Sequence, residues 1–304
     1  MNHIIKVSDS TQTTARSDYL VGTHLHRANI GQMQSSPVQS TSVKWHQRLE
    51  LLWQFTLRAI EMKHRGSYLG MFWAMLNPLL MLGLYTFVFG VIFGSKFRVL
   101  PNETGVDFAF SFFLGFMLFH VMAETLAVAP SVIITSPNLV KKVVFPLEIL
   151  PLSQLGAFWF NFLISLALLL VGILVAQREL TWEGVLWLPI IILPHVIFTI
   201  GLSWLLAALG VFFRDIAQVI QFLSQVLMYA SAIMYSLDIV SPRVWSILKW
   251  NPLLHTINLA RNALLWHRPI NVMQLGYTYC TALMIFIFGR WFFMKSRPAF
   301  ADVI

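Results

Sequence analysis

Cysteine and charge are what this sequence has least of. A single cysteine, Cys280, among 304 residues excludes a disulfide framework or a cysteine metal cluster within one chain. Asp, Glu, Lys and Arg together make up only 11%. The acidic residues are scattered, which argues against a membrane-embedded glycosyltransferase, since that chemistry needs clustered carboxylates or a metal site. No G-x-x-x-x-G-K-S/T run occurs, so the chain lacks the glycine-rich nest and lysine that hold ATP phosphates. Nor is there an apolar run in the first forty or so residues that can act as a signal-peptide h-region.

What the sequence has instead is uncharged length. Met71 to Gly94 carries no charge, and as a helix it would extend roughly 36 Å at about 1.5 Å per residue, enough to cross a bilayer. Comparable stretches follow, and the hydrophobic fraction of 57% with mean hydropathy +0.70 describes a multi-pass membrane protein. The spans are expected at about 68–94, 108–129, 147–176, 186–213, 217–237 and 275–293. In that arrangement fourteen of the 21 Lys and Arg residues fall on the side of the N-terminus and seven on the other. This bias places both termini in the cytoplasm. The net charge of +8 is therefore a topology signal rather than a nucleic-acid footprint, because the basic residues flank spans and form no separate patch.

The expected fold is an all-α membrane protein: six transmembrane helices, an amphipathic interface helix before them, and two short re-entrant helices between spans 5 and 6. The domain reading is a solvated, disordered tail over 1–42, the amphipathic helix over 43–66, the six-span domain over 67–295 and a cytoplasmic tail over 296–304. In the amphipathic helix Gln47, Glu50, Gln54, Arg58, Glu61 and Arg65 recur at steps of three or four, opposite Trp45, Leu49, Leu52, Trp53, Thr56 and Ile60. Such a helix lies in the membrane interface, as a docking surface or as a plain anchor. Ser136-Pro137 reads as an N-cap and first-turn pair opening a short helix that Pro146 ends. Ser241-Pro242 and Asn251-Pro252 open the two re-entrant helices in the same way. A seventh span at that place would put the basic C-terminus outside.

Taken in order, the amphipathic helix, HRGSYLGMFWAMLNPLL, NLVKKVVFPLEILP, FFRDIAQ and KWNPLLHTINLARNALL resemble the permease subunit of type-2 ABC exporters. The likeness covers about residues 43–297 and is greatest to the polysaccharide branch, which moves O-antigen, capsule or teichoic-acid chains. It implies a homodimer in the inner membrane of a bacterium, two copies of a separate ATPase subunit carrying ATP and Mg²⁺, no cofactor or metal on this chain, and a lipid-linked glycan as substrate. Membrane lipids complete the expected partners, and nucleic acid is not among them. By position the resemblance assigns ATPase coupling to Glu50, Arg58, Glu61 and Arg65, to Pro137, Asn138, Leu139, Lys141 and Lys142, and to Arg214 and Asp215. The pathway residues it implies are Trp73, Tyr85, Phe89, Phe222, Tyr229 and Tyr235, with an outer gate at Trp245, Trp250, Asn251, Pro252 and Arg261.

Ionisable groups inside spans are costly and need a separate account. His120 and Glu124 stand four apart and can meet on one helix face, as a structural pair or as part of a proton relay. His195 stands alone and is expected to pack. Asn77-Pro78 should bend the first span. A small molecule or lipid as cargo, and a proton-coupled secondary carrier, are the competing readings. The carrier would be expected to show internal repeats, and none is visible.

Overall fold

Helix lets an apolar run satisfy its own backbone polar groups in hydrocarbon. The computed structural model describes residues 45–304 apart from 65–67, 69, 142–144 and 214, and among these there are helices and turns but no strand. The expected 1–42 tail, Arg65, Lys142 and Arg214 lie outside the described residues. The helices are α1 (Trp45–His64), α2 (Trp73–Tyr85), α3 (Gly105–Val128), α4 (Pro137–Lys141), α5 (Ile149–Val175), α6 (Trp182–Phe212), α7 (Ile216–Ala230), α8 (Pro242–Leu248), α9 (Pro252–Leu264), α10 (Val272–Ser296) and α11 (Phe300–Val303).

Among the described residues, five continuous helical stretches are long and apolar enough to cross a membrane: Gly70–Ile92, Gly105–Ser131, Ile149–Val175, Trp182–Phe212 and Val272–Val303. The expected fifth span departs from the reading. Instead of running over 217–237, α7 stops at Ala230 after 15 residues, roughly 22 Å against the roughly 30 Å of a hydrocarbon core. It ends because the chain turns: Ala232 is left-handed at φ +53, and Ser231 Oγ donates back to Leu227 O at 2.6 Å. In the first span Pro78 lies inside α2, where a bend was expected, and from Thr86 to Ile92 the chain continues as π-helix, which was not.

α3 is the axis of the bundle. Phe108, Phe112, Phe113, Leu114 and Leu118 on it are almost wholly buried, in a core shared with Leu169 and Ile173 of α5, Ile191 of α6 and Ile257 of α9. α6 and α10 are in close backbone contact. A Cβ on Gly289 would come within 2.0 Å of Gly201 O, and one on Gly201 within 2.4 Å of Phe286 Cα, so two glycines set this separation.

α1 packs on α5 through Thr56, Ala59 and Ile60, and Gly156 of α5 admits Thr56. The expected two-faced helix has three stripes: this packed one, an exposed apolar one of Leu49, Trp53 and Leu57, and the polar one. The apolar residues of α1 thus divide between the bundle and an outward-facing surface suited to a membrane interface.

Candidate functional site

One end of the bundle carries α1, α4 and the end of α10. Leu139 and Val140 of α4 rest on a cluster that includes Ile133, Phe145, Ala207, Phe293 and Phe300, while Pro137, Asn138 and Lys141 are exposed. A five-residue helix cannot hold itself in water; this footing holds it. The connection to α1 is made by Phe55 against Phe145, ring centres 5.1 Å apart. It is reinforced at Glu148, whose Oε1 pairs with Arg48 of α1 at 3.4 Å and whose Oε2 pairs with Arg297, just past α10, at 3.3 Å. Arg297 also donates to Phe145 O at 3.2 Å, and Trp204 Nε1 to Glu148 O at 3.1 Å. Glu50, Arg58 and Glu61 lie exposed along α1, and Asp215 is exposed at the start of α7.

Deeper in the bundle, Lys63 of α1 reaches Glu124 of α3 as an ion pair, with His120 Nδ1 3.6 Å from the second carboxylate oxygen. Trp73 lines the cavity beside them. Tyr85 and Phe89 turn inward, packing on Phe112 with centres 4.6 and 5.9 Å away. Phe222 and Tyr229 face outward at 68% and 65% exposure, and Tyr235 donates its hydroxyl to Tyr229 O at 2.8 Å. His195 is buried, its Nε2 3.1 Å from Leu118 O and its ring edge-on to Trp159.

At the opposite end one of the two expected side-chain caps forms, at Asn251, whereas Ser241 precedes its proline with no side-chain cap hydrogen bond. Ser241 and Asn251 precede α8 and α9 with proline in the first turn, and Asn251 Oδ1 accepts from Leu253 N at 3.0 Å. The Asn251 amide also donates to Ala230 O at 3.1 Å and Ser231 Oγ at 3.0 Å, so it closes the end of α7 as well. Arg261 is a buried clamp, 1% exposed. Its guanidinium donates to Ser111 O at 2.8 Å and to Ala232 O and Ile233 O at 2.7 Å, and stacks on Phe97 at 4.5 Å. Burial lowers its pKa to about 9, which leaves it charged at neutral pH. Burial also holds the His255 imidazole below its ordinary value, and its Nε2 lies 2.8 Å from Lys249 O. Trp250 is exposed, Trp245 half-buried against His255, and Pro252 half-buried.

Residues 50–265, from α1 through α9, match the family model described as ABC-2 type transporter. The chain belongs to the ABC-2 type transporter family. Among the relatives of this ABC-2 member is a protein of Klebsiella pneumoniae named O-antigen export system permease protein RfbA, 26% identical over 255 residues, 84% of this chain and 95% of that one. A Myxococcus xanthus protein of the same name is 27% identical over 256 residues, with the same shares covered. A shorter match, 26% over 104 residues, joins 34% of this chain to 40% of an Escherichia coli protein named polysialic acid transport protein KpsM.

As a family member with several long apolar helices, this ABC-2 protein is a multi-pass membrane protein. Its structure brings α1 and α4 to one end, and ties α1 to the end of α10 through a residue the sequence reading passed over. Glu148 was visible there as the one acid in KKVVFPLEILP, at the edge of a span; its partners, 100 and 149 residues away, were not. Lys63 was likewise counted only as a topology charge, although it is the ion-pair partner of the intramembrane glutamate.

Proposed function

We propose that this chain is the membrane-spanning subunit of an ATP-driven exporter that passes a lipid-linked polysaccharide, O-antigen-like or capsule-like, across the bacterial inner membrane. The observation that carries this reading is the near end-to-end match to relatives named as O-antigen export permeases. In the working unit two copies form the conduit, and each contacts one copy of a separate ATPase subunit that binds ATP and Mg²⁺. Both termini are cytoplasmic. α7 provides the fifth of the six crossings together with the turn after it, and α8 and α9 are re-entrant from the outer side. α1 and α4 receive the ATPase, with Glu50, Arg58, Glu61, Pro137, Asn138, Leu139, Lys141 and Asp215 near the contact; Arg65, Lys142 and Arg214 belong to the same assignment. Glu148 transmits its displacement to α5 and α10 as a rigid connection.

Two features support a seam built on α2 and α7. In the most apolar stretch of the first span no residue is buried, against about two thirds in the second. On α7, Gln218, Gln221 and Gln225 are exposed beside Phe222 and Tyr229. Exposed glutamines are costly against lipid and cheap along a wet conduit, and aromatic faces let a sugar chain slide without fixing hydrogen bonds. Deleting the gene should remove surface glycan while lipid-linked polymer accumulates inside, and this chain co-expressed with its ATPase should purify as a two-plus-two complex that hydrolyses ATP. Unchanged surface glycan would overturn the cargo assignment.

A further inference from the structure

Between the end of α1 and helices α2, α3 and α5 lies a cavity of about 310 Å³. That is space for about ten waters at about 30 Å³ each, at the lower end of the roughly 300–1,000 Å³ that small molecules occupy. It accommodates a single ring rather than a length of chain. Its wall includes Trp73, Phe116 and Phe162. Into this aromatic setting project groups that hydrocarbon tolerates poorly. Glu124 gives Oε1 to Lys63, whereas Oε2 is buried with no hydrogen bond, the His120 Nδ1 3.6 Å away being beyond hydrogen-bond distance. The side-chain amides of Asn77, exposed at the cavity mouth, and Asn161, half-buried, line the same cavity and have no hydrogen-bond partner among the described residues.

In a membrane setting, unpaired amides facing a cavity and a carboxylate oxygen without a hydrogen bond are costly unless something polar meets them. The guest must offer hydrogen-bond donors to a carboxylate, both donors and acceptors to two amides, and an apolar face to aromatic rings. It should also be neutral, because Lys63 and Glu124 cancel each other and an anion would meet the carboxylate. A sugar ring has this combination, with hydroxyls around its rim and C–H bonds on its faces. We propose that this cavity is a binding site for one neutral sugar ring of a membrane-anchored glycan, held by Glu124, Asn77 and Asn161 against Trp73 and Phe116. The choice of a sugar rests on the export reading; the polar cavity does not. Because Glu124 also holds Lys63, the guest shares its carboxylate with the helix assigned to ATPase contact.

The test is photolabelling of the full chain in nanodiscs with three probes that carry a diazirine at the same chain carbon: octyl β-glucoside, octyl phosphate and octanol. The glucoside should label peptides of α2, α3 or α5 around the cavity about tenfold above octanol and above octyl phosphate, and excess unmodified octyl glucoside should abolish the labelling. N161L and E124Q should each reduce it by about tenfold, the scale of one lost hydrogen bond to a buried or charged group. E124Q disturbs an ion pair, so N161L is the cleaner variant: its amide holds no part of the described fold, and its thermal midpoint should equal that of the wild type. Equal labelling by octyl phosphate, equal labelling by octanol, or full labelling of N161L would each overturn the site. If gene deletion leaves surface glycan intact while the glucoside labels the cavity, the export reading fails alone. If deletion abolishes surface glycan but the glucoside labels no better than octanol, the site fails alone.

Discussion

At the residue scale the most consequential side chain is Arg261. Three backbone carbonyls from two distant parts of the chain converge on one guanidinium, and two of them belong to the turn that ends α7. Arg261→Met would leave the Ala232 and Ile233 carbonyls without this donor and remove the second bond to Ser111 O, at about 1–3 kcal/mol for each buried group left unpaired. We expect a loss of at least about 3 kcal/mol, read as a lower midpoint in thermal unfolding of the purified chain. Gly115→Ala probes the same clamp from the other side, because the added Cβ would lie 2.6 Å from Arg261 Nη2; about 1–3 kcal/mol is expected. Gly83→Ala, where nothing lies within 4 Å, should leave the midpoint unchanged or slightly raised. Asn251 was legible as a cap because its signal is two adjacent residues. The role of Arg261 was not, because its acceptors lie 28, 29 and 150 positions away, and an arginine near the end of a helix looks the same whether it faces water or a carbonyl trio.

At the element scale the long helices α3, α5, α6 and α10 were legible as uninterrupted apolar runs, since backbone pairing in hydrocarbon leaves few other choices. Where α7 would stop was not. Ser231 and Ala232 carry no breaker chemistry, and the turn exists because Asn251 and Arg261 supply donors to its carbonyls. The π-helical end of the first span and the two prolines inside α6, Pro189 and Pro194, also fell outside what periodicity reports. The α6–α10 pair makes a sharp prediction. Gly289→Leu places a side chain where Gly201 O already lies 2.0 Å from the position of a Cβ, so the helices must separate. Small residues at such crossings give backbone contact for which lipid offers no hydrophobic substitute. We expect folded yield to collapse, measured by size-exclusion chromatography of the fluorescently tagged chain. Gly276→Leu on the same helix, at a position with nothing within 4 Å, should purify normally.

At the scale of the whole molecule, composition made the membrane class legible and the ordered motifs the family, but one chain cannot display the surface it offers to another copy of itself. The outward faces of α2 and α7 are where that surface is proposed, and a single exposed cysteine makes the idea easy to test. With Cys280 replaced by serine, a cysteine at Gln221 or Gln225 should give a disulfide-linked dimer on mild oxidation in membranes, because both glutamines are exposed along α7. Met284→Cys is the control: it sits on α10 at 62% exposure and should remain monomeric if that helix faces lipid. The two positions present comparable exposed targets, so a difference between them reports the neighbour rather than accessibility. Cross-linking from α10 with none from α7 would move the seam, and the conduit with it, to the other side of the bundle. The Gln–Phe–Tyr stripe would then need another polar neighbour, since exposed glutamine is costly against lipid.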